Sequence, residues 1–442
     1  MYVPAHWQER EYHSMNKGNI RVVVTGLGVV APNGVGLAAF REAIRNGVPG
    51  IRFIPKLEEL NFGCRIGGIP PNFTDVRARY FDHEKLLSIN DNIGYCSVAA
   101  VDAWRDAGFE IPGEADQTVD WDTGAILGCG IGGMDTIAEQ VVPMINAGKV
   151  RRMGSRIVEQ VMNSGTSARV GGLLALGNQV TSNSSACSTS SEAIMEAVLR
   201  IRWGAAKRML AGGSEGASPY IWGGFDAMRV IARKYNDRPE AGSRPMSASA
   251  NGFVPGAGAA VLVLEELETA LARGARIYCE ILGGAVNSGG QRNGGSMTAP
   301  NPEGVRRCIR GAITDAGITP RDIDAINGHL TATFADPLEI KNWREALECD
   351  PANFPFVNST KSMVGHCLGA AGAIESVAVV LELTEKFLHP SINCEDVHPE
   401  LEAYSDRIVR ETMDYPDLKV VAKSSFGFGD VNSCIIFGAW EG

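Results

Sequence analysis

One cysteine, Cys187, stands where small and β-forming residues give way to a helical pattern. It lies within residues 184–190, which read Ser-Ser-Ala-Cys-Ser-Thr-Ser, and the helical pattern of residues 191–198 follows directly. A thiol at a helix N-terminus faces unpaired backbone N–H groups and the positive end of the helix dipole, and both favour the thiolate. We therefore interpret Cys187 as a candidate nucleophile with a lowered pKa. For this residue taken alone, a small buried cysteine is the alternative.

Two histidines further along the chain could act with such a nucleophile. His329 ends a predicted strand in residues 327–333, Asn-Gly-His-Leu-Thr-Ala-Thr. His366 comes five residues after Lys361 and nine residues before Glu375. Each histidine alone is compatible with an ordinary polar loop. Together with a nucleophile, a lysine and a glutamate, they make the ordinary-loop interpretation much weaker and form a candidate reactive group.

A fourth motif, residues 425–432, reads Ser-Phe-Gly-Phe-Gly-Asp-Val-Asn. Glycines on both sides of Phe428 allow the backbone to approach a reacting centre and allow the aromatic ring to swing. The alternative is a hairpin turn with two core aromatic side chains.

The composition limits the class of protein. The 442 residues are 45% hydrophobic, and the formal net charge of −10 argues against general nucleic-acid binding, although local basic patches remain possible. Ten scattered cysteines form no CxxC pair and no metal-ligand spacing, which is typical of a reduced, cytoplasmic protein without a metal site. No apolar run reaches the roughly 18 residues of a membrane span. Residues 1–19 are polar, so we expect a flexible leader rather than a signal peptide.

Buried strands alternate with helices in two similar halves, residues 20–272 and 273–442. The Gly26-Leu27-Gly28 turn lacks the third glycine of a dinucleotide site. Continuous apolar strands between helices predict an α/β protein with mainly parallel sheets, and the similar halves suggest an internal duplication. The predicted strands cover residues 20–30, 124–129, 207–213, 277–285, 323–328 and 433–439, and the predicted helices cover 91–107, 303–317 and 369–387.

In this order, the four motifs resemble those of the β-ketoacyl–acyl carrier protein synthases, the type I/II condensing enzymes, and most of all the synthase II-like members. The resemblance covers residues 20–440, and the Lys361/His366 signature separates it from the Cys-His-Asn condensing enzymes. It implies a thiolase-like fold, duplicated in five layers (α/β/α/β/α), and an acyltransferase. It also implies a homodimer in which a strand near residues 178–186 pairs across the two-fold axis.

The resemblance further implies a decarboxylative Claisen condensation in fatty acid or polyketide-like biosynthesis. An acyl group moves from its carrier to Cys187, with the N–H groups of Cys187 and Phe428 as the oxyanion hole. His329 and His366 stabilise the enolate formed when malonyl-carrier protein loses CO2. Lys361 supplies a positive charge, and Glu375 holds the network by hydrogen bonds. No cofactor is bound, because phosphopantetheine arrives on the acyl carrier protein.

Further positions match substrate and docking contacts of the family. Thr298, Thr331 and Thr333 correspond to contacts of the phosphopantetheine arm, and Ile131 corresponds to a residue lining the acyl pocket. Docking of the acidic carrier protein requires a basic surface. At each basic residue named for docking, the alternative is an ordinary solvated surface charge. The remaining candidates are Phe426 and Asn432 for substrate binding, and Arg151, Arg152, Arg233 and Lys234 for the carrier protein.

Three departures from the family pattern leave the specific substrate open. Phe428 matches the gating phenylalanine of the family. Leu330 replaces the usual glycine after the first histidine, and Asp430 and Val431 replace the small residues that usually follow the gating phenylalanine. Residues 244–254 lack two aspartates and one arginine of the usual segment. The intact catalytic set favours an active enzyme, and the altered loops favour a specialised branch over a housekeeping elongation enzyme. A non-catalytic partner of the chain-length-factor kind and a thiolase are the competing interpretations, and chain length, branching and a heterodimeric partner stay open.

Overall fold

The computed structural model describes residues 20–113 and 115–442, so the predicted leader, residues 1–19, lies outside the described residues. Ten strands form one sheet, and a short additional strand, Gly34–Val35, pairs with the first of them. The ten strands in chain order are β1 (Val22–Ala31), β2 (Thr123–Cys129), β3 (Val180–Thr181), β4 (Arg208–Glu215), β5 (Gly258–Glu266), β6 (Cys279–Ser288), β7 (Ala325–Asn327), β8 (Phe356–Asn358), β9 (Val420–Gly427) and β10 (Val431–Ala439).

The first five strands and the last five are arranged in the same way. From the centre outwards, the order is β1-β5-β4-β2-β3 in one half and β6-β10-β9-β7-β8 in the other. The strands of each half are numbered here in chain order. The first strand is antiparallel to the fifth, and the fifth is antiparallel to the fourth. The second strand is parallel to both the fourth and the third. An antiparallel contact between β1 and β6 joins the halves. This correspondence supports a duplication, and the boundary at residue 272 stays a prediction.

The prediction of mainly parallel sheets is wrong. Four strand pairs of the described sheet are parallel, and the pairs involving β1, β5, β6 and β10 are antiparallel. Strands β9 and β10 are joined by a turn of residues 428–430, and so short a connection permits only antiparallel pairing. A strand covered on both faces has a continuous apolar sequence whatever its direction, so hydropathy alone did not reveal the directions.

Six helices form three layers around the sheet. Two lie at the centre and contact strands of both halves, two cover the first half and two cover the second. The layers therefore follow the order α/β/α/β/α, as predicted. The outer helices are α1 (Asp91–Asp106) and α2 (Gly165–Leu173) on the first half and α4 (Pro302–Ala316) and α5 (Asp336–Leu347) on the second, and the central helices are α3 (Thr189–Arg202) and α6 (Ala371–Glu385).

The central position of α6 follows from its sequence. Every residue from Ala371 to Leu383 is buried, and a helix that is apolar on all sides must be covered on all sides. Its two buried acids, Glu375 and Glu382, are the exceptions, and a buried carboxylate needs donors or a cation nearby. One of them proves to belong to the active site.

Short elements complete the described fold. Two small antiparallel sheets pair Ile51–Phe53 with Ile66–Gly68 and Phe387–Leu388 with Met413–Asp414. No helix within the described ranges has the length and apolar character needed to cross a membrane. Further α-helices are Leu37–Arg45, Pro55–Glu59, Phe73–Arg77, His83–Leu86, Met134–Thr136, Val142–Asn146, Ile157–Val161, Pro219–Ala227, Leu267–Ala272 and Lys361–Val364; Ile137–Val141 is a π-helix, and 3-10 turns cover Val150–Arg152, Ala186–Ser188, Pro239–Ala241, Pro320–Asp322, Pro351–Asn353, Leu368–Ala370 and Pro399–Arg407.

Candidate active site

A sharp turn presents Cys187 at the start of α3. The turn is the 3-10 segment Ala186–Ser188, and Ala186 has a left-handed φ of 49°. Gly427 at the end of β9 packs directly against it, and a Cβ on that glycine would lie 3.0 Å from the backbone nitrogen of Cys187. The close approach explains why a glycine stands at position 427. As predicted, Cys187 lies at the beginning of a helix.

His366 lies next to the thiol. Its Nε2 atom is 3.1 Å from the Sγ atom of Cys187. The backbone N–H of Leu368 donates to Nδ1 at 3.3 Å. Since Nδ1 accepts this hydrogen bond, the neutral ring carries its hydrogen on Nε2. The ring therefore offers an N–H donor on the side of Cys187.

His329 completes a group of three side chains. Its ring centroid is 5.3 Å from that of His366, and the ring planes are nearly perpendicular at 83°. The Sγ atom of Cys187 and one nitrogen of each ring all lie within 4.8 Å of one another. This spacing lets a single carbonyl group contact the nucleophile and both rings. One thiol and two imidazoles are also a donor set that metals accept, so the predicted absence of a metal stays a prediction.

Both histidines are held neutral. Burial lowers the pKa of His329 and of His366 well below the usual range, and the nearby ammonium groups of Lys361 and Lys423 lower both further. A neutral imidazole can donate a hydrogen bond to an enolate oxygen without being a strong acid that would protonate the carbanion. The rings thus have the protonation state that enolate stabilisation requires.

The prediction of a lowered thiol pKa at Cys187 is wrong. Burial raises this pKa to about 11, although the backbone N–H of Phe428 and the charge of Lys361 act in the opposite direction. The cost of a charge in an apolar pocket exceeds the gain from the helix terminus, and the pattern of residues around Cys187 did not reveal how apolar that pocket is. The side chain is therefore a thiol at neutral pH, and its proton has to leave during attack.

Lys361 and Glu375 form a buried ion pair. Lys361 begins the short helix Lys361–Val364, Glu375 lies on α6, and the Nζ atom donates to Oε1. A second lysine, Lys423 on β9, was missed by the sequence analysis, although it is fully buried and its Nζ atom lies 2.8 Å from Oε2 of the same carboxylate. A lysine directly after the apolar residues 420–422 and two residues before the Ser-Phe-Gly-Phe-Gly motif was the available signal.

Three buried acids that position the site backbone were also missed. Glu339 accepts the N–H groups of His329 (2.7 Å) and Leu330 (2.8 Å), and burial raises its pKa to about 7. Asp336 accepts the N–H of Thr331 at 2.9 Å. Because Asp336 and Glu339 are three residues apart at the start of α5, they share one helix face. A third acid, Glu215 on β4, accepts N–H groups of Ile131 and Gly369 at 3.0 Å each.

The turn after β9 brings Phe428 over the thiol. Its backbone N–H lies close enough to Cys187 to lower the pKa of the thiol, and its role in an oxyanion hole stays a prediction. The Phe428 ring lies 6.2 Å from that of Phe225, and the ring of Phe426 lies 6.4 Å from that of His329. Phe428 thus faces the cavity between the nucleophile and the neighbouring aromatic side chains.

Asp430 links this turn to a second loop. It is completely buried with a left-handed φ of 62°, and its carboxylate accepts the N–H groups of Gln291 (2.8 Å) and Asn301 (2.7 Å). Its own carbonyl accepts the N–H of Gly289 at 2.9 Å. The departure from the family pattern therefore has a structural role, because it attaches the Phe428 turn to the loop 289–301.

A mostly apolar cavity of about 550 Å³ opens beside the reactive group. The predicted contacts Thr298, Thr331, Thr333 and Phe426 line it. Ile131 and Asn432 are not among its lining residues, and the side chain of Asn432 donates instead to Asn287 at 3.0 Å. Their predicted substrate contacts stay predictions. Lining side chains that the sequence analysis missed include Phe225, Met228, Val230, Phe253, Phe334 and Leu338.

The four predicted docking residues fall into two groups. Arg151 and Arg152 are exposed on the 3-10 turn Val150–Arg152, and neither has an ion-pair partner within the described ranges. Lys234 is also exposed. Arg233, in contrast, is half-buried and pairs with Asp226 at 3.2 Å. Its charge is already satisfied within the chain.

The fold and the Cys-His-His site define a condensing enzyme of the acyltransferase class with a thiolase-like fold. The sequence model "Beta-ketoacyl synthase, N-terminal domain" matches residues 19–270, and "Beta-ketoacyl synthase, C-terminal domain" matches residues 278–395. The chain belongs to the β-ketoacyl synthase family.

Three relatives illustrate the breadth of this family. The chain is 36% identical to the chloroplastic 3-oxoacyl-[acyl-carrier-protein] synthase I of Arabidopsis thaliana, over 95% of this chain and 87% of the relative. It is 34% identical to 3-oxoacyl-[acyl-carrier-protein] synthase 2 of Vibrio harveyi, over 94% and 98%. Among solved structures, a type II PKS acyl-carrier protein in complex with its ketosynthase bound to the hexaketide gives a TM-score of 0.84 at 29% identity, covering 96% of this chain and 100% of that chain.

Proposed function

We propose that the chain is a 3-oxoacyl-acyl carrier protein synthase that condenses malonyl-carrier protein with an acyl group held on Cys187. The observation that carries this proposal is the convergence of three groups at the apolar cavity. The Sγ atom of Cys187 lies 3.1 Å from Nε2 of His366, and one ring nitrogen of His329 lies within 4.8 Å of both. The names of the relatives support the same reaction.

In the first half-reaction, the sulfur of Cys187 attacks the thioester carbonyl of an acyl carrier. The N–H of Phe428 lies close enough to Cys187 to lower the thiol pKa, so together with the N–H of Cys187 it can bind the oxyanion of the tetrahedral intermediate. The thioester C–S bond then breaks. Because the Cys187 pKa is raised, the thiol proton leaves with the departing carrier thiol, and the acyl group stays on Sγ.

In the second half-reaction, malonyl-carrier protein loses CO2 and leaves an enolate. The neutral rings of His329 and His366 donate hydrogen bonds to the thioester oxygen on which this charge develops. The carbanion attacks the acyl carbon on Cys187, a carbon–carbon bond forms, and Sγ departs as a thiolate, which takes up one proton from solvent to restore the thiol. The products are 3-oxoacyl-carrier protein, CO2 and the free enzyme.

The substrates reach the site as thioesters on the phosphopantetheine arm of the carrier. Thr298, Thr331 and Thr333 line the cavity and can hydrogen-bond the polar arm, while the apolar walls suit the acyl chain. The exposed Arg151 and Arg152 suit an acidic carrier protein. No cofactor of the enzyme itself takes part in this proposal.

A non-catalytic partner of the chain-length-factor kind is the second candidate function. One solved structure to which the chain is similar, at 27% identity and a TM-score of 0.84, is an ishigamide ketosynthase/chain length factor. A scaffold needs the fold but not the nucleophile. The complete group of Cys187, His329 and His366 favours the catalytic function.

A homodimer in the cytoplasm completes the proposal. The strand β3 is shorter than predicted, with Val180 and Thr181 alone, and it lies at the end of the strand order, where another chain could pair with it. Exposed apolar side chains also occur at Val142, Ile145, Val150 and Val158. Light scattering coupled to gel filtration measures the oligomeric state.

The reaction is tested by incubating the enzyme with acyl- and malonyl-carrier proteins of graded chain length. We expect 3-oxoacyl-carrier protein and an equal amount of CO2 from the unmodified enzyme, and none of the condensation product from Cys187→Ala. A folded enzyme that forms no product with any acyl donor, and equally with the Ala variant, would favour the scaffold function.

A further inference from the structure

Lys423 is a second buried ammonium group beside the reactive site. It lies on β9, and its side chain has no exposed surface. Its Nζ atom donates to the carbonyl of Ser424 at 2.7 Å and to the hydroxyl of Ser425, and it lies 2.8 Å from Oε2 of Glu375. A buried ammonium is costly unless several acceptors surround it. This set of acceptors therefore fixes the position of the charge.

Lys423 shares its counter-ion with Lys361. Glu375 offers Oε1 to Lys361 and Oε2 to Lys423, so two ammonium groups face one carboxylate. A lysine–glutamate pair alone would be neutral, whereas the group of three with both lysines protonated carries one positive charge in excess. Burial lowers the pKa of Lys423, the Glu375 carboxylate opposes this effect, and the charge of Lys361 adds to it. A further acid, Glu339, acts on Lys423 through its charge, but burial raises the pKa of this acid to about 7, so it neutralises the excess only in part.

The excess charge acts on the two histidines. The charge of Lys423 lowers the pKa of both His329 and His366, in addition to the effect of burial and of Lys361. The remaining titratable group that faces Lys423 is the thiol of Cys434 on β10, whose pKa is raised by burial. A positive charge close to the rings in a medium of low dielectric constant opposes their protonation and favours a developing enolate.

We propose that Lys423 is a positioning residue of the condensation reaction, because by sharing Glu375 with Lys361 it maintains an uncompensated positive charge beside His329 and His366. This inference rests on the proposed function. The charge keeps both rings as neutral donors and stabilises the enolate that they bind. Lys423 does not act on the transfer of the acyl group to Cys187, in which no enolate forms.

The test compares Lys423→Met and Lys423→Gln, which remove the charge, with Lys423→Arg, which retains it. Two rates are measured separately for each protein: acylation of Cys187 by an acyl-carrier protein, followed by intact mass, and release of CO2 from malonyl-carrier protein between pH 4.5 and 8. Thermal unfolding identifies the variants that fold. The two neutral variants differ in shape and polarity, so a folding defect in one leaves the other as the test.

In the neutral variants we expect acylation within about threefold of the unmodified enzyme and CO2 release reduced about tenfold or more. In the profile of CO2-release rate against pH, the fall in rate at acidic pH (the acidic limb) should move to higher pH by about one unit. The reason is that the histidine pKa values rise when a nearby positive charge is removed. In Lys423→Arg, the acidic limb should stay at the same pH as in the unmodified enzyme, even if the rate of CO2 release is lower.

Three outcomes would overturn the inference about Lys423. They are CO2 release within about twofold in a neutral variant, an acidic limb that does not move, and an acidic limb that moves equally in the Arg variant. The proposed function fails in a different way: an unmodified enzyme that releases no CO2 and accepts no acyl group contradicts the condensation reaction whatever the variants do.

Discussion

The Nε2 atom of His366 lies 3.1 Å from the Sγ atom of Cys187, and the opposite ring nitrogen accepts the N–H of Leu368. The hydrogen of the neutral ring is therefore on Nε2 and faces the reactive sulfur. A donor in this place can stabilise negative charge near the sulfur, but it cannot remove the thiol proton. This relationship separates nucleophilic attack by Cys187 from enolate stabilisation by the histidines.

The release of CO2 from malonyl-carrier protein should persist well below the usual histidine pKa. Burial and the nearby lysines lower the pKa of His329 and His366, so the rings remain neutral donors as the pH falls through about 6.5. Activity is lost only at a lower pH, at which the rings finally take up protons. The measurement is the initial rate of CO2 release between pH 4.5 and 8, on protein whose fold is monitored by circular dichroism. A loss of half the activity near pH 6.5 would contradict the lowered pKa values.

Gly427→Ala should slow acylation of Cys187 by about 10- to 100-fold. A Cβ at this position would lie 3.0 Å from the Cys187 nitrogen, so the turn that carries the Phe428 N–H has to shift away from the oxyanion position. Gly172→Ala is the matched control, because that glycine lies in α2 with no heavy atom within 4 Å of the added Cβ. Equal acylation rates in the two variants would remove the oxyanion role of this turn.

Asp430→Asn should loosen the loop 289–301. An amide can accept only one of the two N–H groups that the carboxylate now accepts, from Gln291 and Asn301, and it places its own donor against the other. We expect faster amide hydrogen exchange in residues 289–301 and a KM for carrier substrates about three- to tenfold higher. The exposed Asp417→Asn serves as the control. Unchanged exchange in the loop would show that Asp430 does not hold it.

Reversing the charges of Arg151 and Arg152 should raise the KM for malonyl-carrier protein about fivefold or more, and the effect should shrink at high salt. Both side chains are exposed, so their substitution by Glu leaves the packing of the core unchanged. The control with the same change in net charge is Arg79→Glu together with Arg321→Glu, both exposed. An equal rise in KM in this control would assign the effect to net charge rather than to docking at Arg151 and Arg152.

Much of the fold could be predicted from local sequence. Helix α1 begins after Asn90, whose side chain accepts the N–H of Ile93, and the predicted helix 91–107 agrees with Asp91–Asp106. The apolar runs located the strands but not their directions. An antiparallel strand with one face in solvent alternates apolar and polar residues, and burial on both faces removes this alternation. The thiolase-like layers followed from the resemblance rather than from the periodicity.

The chemistry of the site could be predicted in part. Motif spacing identified Cys187, His329 and His366, because each stands at the end of an element in a recognisable local pattern. The thiol pKa was wrong because burial is a property of the assembled fold. Lys423 was missed for a related reason: its partner Glu375 is distant in sequence and becomes its neighbour only when β9 packs against α6.

Intact-protein mass spectrometry after brief exposure to acyl-carrier protein, with Cys187→Ala in parallel, tests the central claim most directly. The account predicts that the unmodified enzyme gains the mass of one acyl group and that the Ala variant gains none, because Sγ of Cys187 is the atom that takes the acyl group from the carrier. A gain in both proteins, or none in a folded unmodified enzyme with any acyl donor, would contradict it.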